Sequence, residues 1–237
     1  MPDEKYGQVN AQGLDFNIGY RNGNGKLDYH ANLTLSYGWN KVIIQDYAEN
    51  AKWIDVPVGK SRSNVKGYRV DKIICTQAEL DQFNEEHPGY RIGGQSPELG
   101  MLVYKDLSGP DGKPDGIIDS WDKDILWGHN FPIIYGLNLG GNWKGFSLDL
   151  MFNGKLKEQK SFKNLAEGVE WNRMWTEWYT NSWTPETPDN WLPRRKPNGD
   201  AKTYLEDSDF WYKDASSIRL KYVTLGYTIP QKLYGKC

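Results

Sequence analysis

The chain has 237 residues, with 31 acidic against 29 basic side chains and a formal net charge of −2. Mean hydropathy is −0.75, and no stretch approaches the roughly 20 apolar residues of a membrane-crossing helix. The near balance of charge gives no reason to expect a nucleic-acid partner, and two cysteines, Cys75 and Cys237, are too few for a disulfide framework.

In chain order, Met1 to Lys5 offers neither the basic nor the apolar region of a signal peptide, so either the protein is cytosolic or its natural N-terminus lies upstream. Leu14, Phe16, Ile18 and Tyr20 then alternate with Asp15, Asn17 and Gly19. A period of two places the two sets on opposite faces of a strand, here near 14–20. Arg21 to Lys26 is rich in Asn and Gly, residues that accept positive φ, and reads as a tight hairpin turn. Leu27, Tyr29, Ala31, Leu33, Leu35, Tyr37 and Trp39 continue the alternation, with Asp28, His30, Asn32, Thr34 and Ser36 between them. This run predicts a strand over about 27–45, longer than the ~9–11 residues that cross a bilayer.

A long connection, 46–131, follows. Ile133, Tyr135, Leu137 and Leu139 predict a strand near 132–141, a short turn lies near Asn142 to Gly145, and Phe146, Leu148, Leu150 and Phe152 predict its partner near 146–153. A second long connection, 154–215, leads to a last strand near 216–229. Its apolar phase slips at Tyr222/Val223, where a β-bulge would restore a single greasy face.

Alternation alone fits a soluble β-sandwich as well as a barrel wall. The connections decide between them, because they run short, long, short, long. Connections this long are uncommon in a compact soluble domain. Tight turns on one side of a membrane and large loops on the other are the habit of an up-and-down barrel. The expectation is therefore all-β: an antiparallel up-and-down transmembrane β-barrel wall. About five strands are too few to close, since known barrels start at about eight, and the chain is expected to be part of a longer one.

Asp111, Asp115, Asp119 and Asp122 fall at the first, fifth, ninth and twelfth places of a calcium-loop pattern, with Gly116 at the tight turn and the Ile117 carbonyl at the seventh. Lys113 stands where a ligand is usual, and Asp122 is shorter than the usual glutamate. Asp106 could fold back as a further ligand. The other reading is an Asp/Gly/Pro-rich turn holding no ion. Trp171, Trp175, Trp178 and Trp183 form a dense aromatic stretch; the first three would share one face of a helix. Such a face would stack sugar rings, or pack the loop onto its neighbours, and packing is the favoured reading. His30, His87 and His129 do not cluster in sequence, and neither a zinc spacing, a phosphate loop nor a nucleophile motif is visible. Nothing in the residues gives a positive reason to read an enzyme.

Several segments resemble those of the SusC/RagA-type TonB-linked outer-membrane proteins. They are Tyr104 to Asp119 followed by Asp124 to Gly128, Pro132 to Leu139, Lys144 to Leu148, Trp183 to Pro188 and Ser208 to Pro230. Together they cover most of residues 100–230 in family order, and Leu14 to Trp39 is similar to the preceding hairpin. The acidic loop carries a short insertion around Pro110 to Pro114. The resemblance implies a C-terminal part of a barrel of about 22 strands that imports nutrients, oligosaccharides or peptides, across the outer membrane. It implies energy from TonB through an N-terminal part with no counterpart here, and a SusD-like surface lipoprotein over the long loops. Asp28, His30, Asn32, Asn138 and Asp149 would line the lumen, and the apolar set would face outer-membrane lipids. The rival expectation is a soluble secreted carbohydrate-binding module with a calcium loop. A calcium-dependent hydrolase is a third.

Overall fold

The computed structural model describes residues 6–23, 25, 27–128, 131–164, 175–195 and 206–230. Strands β1 (Gln8–Asn22) and β2 (Leu27–Ile44) form the first hairpin. The connection after β2 carries β3 (Val65–Gly67), β4 (Val70–Ile73), helix α1 (Gln77–Glu86), β5 (Arg91–Ile92), β6 (Leu102–Tyr104), β7 (Ile117–Ile118) and β8 (Asp124–Trp127). A second hairpin follows, β9 (Ile133–Trp143) and β10 (Phe146–Leu156). The next connection carries β11 (Gln159–Ser161), a short helix (Thr176–Asn181) and β12 (Tyr212–Asp214), and β13 (Ser217–Tyr227) ends the described chain.

The five long strands make one antiparallel sheet in the order β1-β2-β9-β10-β13. Its outer strands, β1 and β13, are each paired on one side, so the sheet is a wall and not a closed barrel. The turn between β9 and β10 is made by Lys144 and Gly145, both at positive φ (48° and 88°). That is the conformation a two-residue hairpin needs to match strand twist. The register between β10 and β13 slips once: Met151 faces Tyr222 and Phe152 faces Leu220. The extra residue is Lys221, one place before the phase slip in the apolar pattern, and it returns Leu220 and Val223 to the same face.

The two long connections do not hang as separate loops. They fold into one cap with its own core, and that core is where the buried apolar residues lie. Tyr68, Ile74, Phe83, Tyr90, Ile92, Leu102, Val103, Tyr104 and Ile118 come from the first connection; Trp178, Leu192 and Trp211 come from the second. Backbone bonds stitch the halves: Tyr68 N–H donates to Asp207 O (2.8 Å), Asp209 N–H to Tyr68 O (3.1 Å) and Arg194 N–H to Gly100 O (2.7 Å). Gly67 is required at this seam, because a Cβ there would run into the Asp207 carbonyl and Leu126. Arg69 ties the same region, donating to Asp124 (2.9 Å) and to Ile125 O (3.0 Å) with Asp209 at 3.7 Å. Helix α1 starts in a capping box: Glu79 N–H donates to the Thr76 hydroxyl, and Thr76 N–H donates to the Glu79 carboxylate (3.1 Å). Its single buried residue, Phe83, packs edge-on to Tyr90.

Candidate functional site

The wall has two faces, and the register shows what each carries. One row across the sheet reads Ile18, Leu33, Leu137, Phe152, Leu220; the next reads Tyr20, Ala31, Leu139, Leu150, Val223. Toward the tight turns come Tyr29, Gly141, Leu148, Leu225, and then Leu27, Trp143, Phe146, Tyr227. This apolar face is unbroken across all five strands. Among the described residues nothing covers it: Leu14, Phe16, Ile18, Leu148 and Leu225 are exposed, the last at 73%. Leu33, Leu35 and Leu137 are shielded only in part. A soluble sandwich would bury this face under a second sheet, so that rival reading loses its main requirement.

Aromatics mark both borders of the face. Trp143, Phe146 and Tyr227 lie at the turn end, with Phe146 and Tyr227 rings 4.6 Å apart. Tyr37 and Trp39 lie at the cap end, rings 5.6 Å apart. From Leu27 to Tyr37 is about 33 Å of strand. At a tilt of about 40° this spans about 25 Å, the height of the lipid-facing band of outer-membrane barrels. A glycine on this face is filled from the side: Tyr135 crosses Gly154 and its hydroxyl donates to Ser217 O (3.1 Å). Among the described residues no helix is long and apolar enough to cross a membrane.

The other face is polar. Its rows read Arg21, His30, Gly140, Asp149, Thr224, then Gly19, Asn32, Asn138, Met151, Tyr222, then Asn17, Thr34, Gly136, Asn153, Arg219. His30 and Asp149 stand on strands that flank β9, yet approach to 3.6 Å. They meet because Gly140 lies between them, and a Cβ there would strike both side chains. Thr34 donates to Gly136 O (3.3 Å) over the neighbouring glycine. The expected lumen set, Asp28, His30, Asn32, Asn138 and Asp149, thus shares one face. Missing from that set are Arg219 and Lys155, which the bulge and the strand ends bring to the same surface. The period-two rule, run through Lys221 and carried on to Leu156, would have found them.

The acidic loop is built differently from the expected cage. Asp111 accepts from Lys113 N–H (3.1 Å), Asp115 from Ile117 N–H (2.9 Å) and Asp119 from Trp121 N–H (2.6 Å). Each carboxylate closes its own turn through one oxygen. Asp106 does fold back, but onto Gly116 N–H (2.5 Å). Ile117 belongs to β7, which runs parallel to β5. Asp122 is fully buried and accepts from Leu107 (2.7 Å), Ser108 (3.2 Å) and Asp119 (2.9 Å) N–H groups. Burial raises the Asp122 carboxyl above the ordinary value, against the pull of those three donors. Among the described residues no three His, Cys, Asp or Glu side chains are grouped to hold a metal ion.

The expected tryptophan platform also needs correction. Trp171 lies outside the described residues. Trp178 is completely buried and Trp183 nearly so, its indole N–H donating to Cys75 O (3.0 Å). Their faces are spent on the cap core, the packing alternative. Trp175 alone of the four is placed and exposed, at the head of the short helix. Burial also raises the hydroxyls of Tyr68, to about 12, and Tyr104, and the Cys75 thiol.

No protein-family model matches the chain. It is similar to the TonB-dependent receptor P26 of Formosa agariphila, 23% identical over 250 residues, covering 98% of this chain and 23% of that receptor. Among solved structures it is similar to the RagAB peptide transporter (TM-score 0.60, 16% identity, 99% of this chain and 24% of that chain). It also matches the RagAB peptide importer in its open-open state (TM-score 0.62, 15% identity, 97% and 23%). The chain spans about a quarter of the length of these relatives. In sequence the chain is thus similar to part of a TonB-dependent receptor, and in fold to part of the RagAB transporter.

Proposed function

We propose that this chain supplies five wall strands and an external cap to an outer-membrane importer driven through TonB. The supporting observation is the two-faced wall: greasy without interruption on one side, polar on the other, with both long connections gathered at one end. In this reading the apolar rows meet outer-membrane lipid, and the polar rows border the path of the nutrient. The cap stands outside the cell, where a SusD-like lipoprotein docks and oligosaccharides or peptides arrive. RagAB, similar in fold, is a peptide transporter, which supports peptides within that class.

Topology is directly testable in the full-length protein on intact cells, in a background lacking Cys75 and Cys237. Glu85→Cys, exposed on α1, should react with a membrane-impermeant maleimide. Lys144→Cys, in the β9–β10 turn, should react only after the outer membrane is opened. Equal labelling of both on intact cells would end the reading.

A further inference from the structure

The polar face is not uniform. At its cap end, β9, β10 and β13 and the start of β11 enclose a concavity of about 310 Å³ lined by Asn153, Lys155, Glu158, Lys160, Ser217 and Arg219. Asn153 pairs with Arg219 and Lys155 with Ser217 across β10 and β13, so these four side chains leave the sheet on the polar side. Glu158 is the acid of this lining, and Lys155 occupies it at 2.9 Å. That bond holds the Glu158 carboxyl below its usual range. Lys160 and Arg219 remain, with the amide of Asn153 and the hydroxyl of Ser217 between them.

A second observation is independent of the groove. Lys160 stands directly opposite Lys213 in the β11–β12 pairing. Like charges facing each other across a strand pair are unfavourable. A local rule broken in this way is more common at working sites than elsewhere. The Lys213 ammonium lies 5.7 Å from the Phe162 ring and Lys160 also feels the Glu158 charge, so an anion at Lys160 adds to a relief that is already partial.

We infer that this groove is a binding site for a carboxylate carried by the imported substrate, with Arg219 as the principal contact and Lys160 as the second. The assignment rests on the reading of the polar face as the path of the nutrient. A guanidinium offers two parallel N–H donors matched to a carboxylate, and the ammonium adds a compact charge. The concavity turns both charges toward the path. The site lies at the cap end of the wall, where incoming substrate is first met. Carboxylates come both from acidic peptides and from uronic-acid oligosaccharides, and the groove recognises what they share.

The test uses the full-length protein in detergent and labelled probes: oligo-aspartate and oligo-galacturonate as acids, oligo-alanine and malto-oligosaccharide as neutral counterparts. Arg219→Gln should weaken one or both acidic probes by about tenfold to a hundredfold and leave the neutral ones unchanged. Lys160→Gln should weaken them less, and raised salt should erase the difference between wild type and variant. Which acid loses affinity identifies the source. Arg219→Lys, which keeps the charge but not the fork, should recover only part of the loss. If both variants bind acids as wild type does while the maleimide topology test holds, the site is refuted and the wall stands. If topology fails, both fall.

Discussion

Replacing Leu33 by arginine, with Thr34→Arg beside it as the control, separates the two faces of the wall at one height. Leu33 sits in the row Ile18, Leu33, Leu137, Phe152, Leu220. From Leu27 it is about 20 Å along β2. At a tilt of about 40° this is about 15 Å, near the middle of a band about 25 Å tall. An arginine facing lipid at that depth costs about 2–4 kcal/mol. Thr34 points to the other face and donates one part-buried bond to Gly136 O. Losing it costs about 1 kcal/mol, and the new guanidinium stays in water. The assay is reversible denaturant unfolding of the full-length protein folded into phosphatidylcholine vesicles. Leu33→Arg should lower stability by 2 kcal/mol or so more than Thr34→Arg. Equal losses, or a larger loss at Thr34, would refute the facing assignment.

Further outcomes concern the cap. Gly67→Ala should destabilise it by about 2 kcal/mol or more, since the added methyl meets the Asp207 carbonyl and Leu126 at the seam; tryptophan fluorescence on heating reads this. Trp183→Phe should cost about 1 kcal/mol through the lost bond to Cys75 O, seen in the same transition. Asp122→Ala should cost about 3 kcal/mol, because three backbone N–H groups lose their acceptor. The pH dependence follows from the raised Asp122 carboxyl. Between its unfolded and folded values the folded state binds more protons, so this group's contribution falls as pH rises from about 4. Asp55, lowered by its bond to Lys66, works the other way: its contribution is present above the ordinary value and is lost as pH falls through the folded one. Asp122→Asn should flatten the first trend and leave the second, measured as the melting midpoint against pH.

The wall was legible because period two is a geometric necessity of a strand and β2 repeats it without error from Leu27 to Trp39. The slip in β13 was legible for the same reason, and the bulge residue proved to be Lys221, one place from the break in pattern. The cap was not legible. Its strands are two to four residues long, too short for any period to register. Their pairing is set by partners far away in sequence, such as Tyr68 with Asp207. The acidic loop carried the spacing of a cation site, but spacing does not say whether a carboxylate turns inward or closes its own backbone turn. Asp111, Asp115 and Asp119 do the latter. The aromatic stretch likewise could not show that Trp178 and Trp183 are core while Trp175 is surface.

Two solvents explain why one chain places its apolar residues in opposite ways. In water, burying apolar surface stabilises by about 25 cal/mol per Å², so the cap folds inward around Trp178, Trp211 and Tyr104. In hydrocarbon there is no such drive, and what must be satisfied is the backbone. The wall therefore needs no core. It needs every N–H and C=O paired, and β9, β10 and the Leu27–Ser36 part of β2 have strand partners on both sides. Its leucines point outward because outward is already apolar. The same reading accounts for a mean hydropathy of −0.75 in a chain with an exposed apolar face. Half of each strand is polar by geometry, and the cap adds charged surface around a small interior. Strands β1 and β13 each still carry one unpaired edge. In lipid such an edge costs several kcal/mol for each orphaned group. Pairing with further strands is thus a condition of the wall's stability, whereas the cap gathers a core from its own two connections.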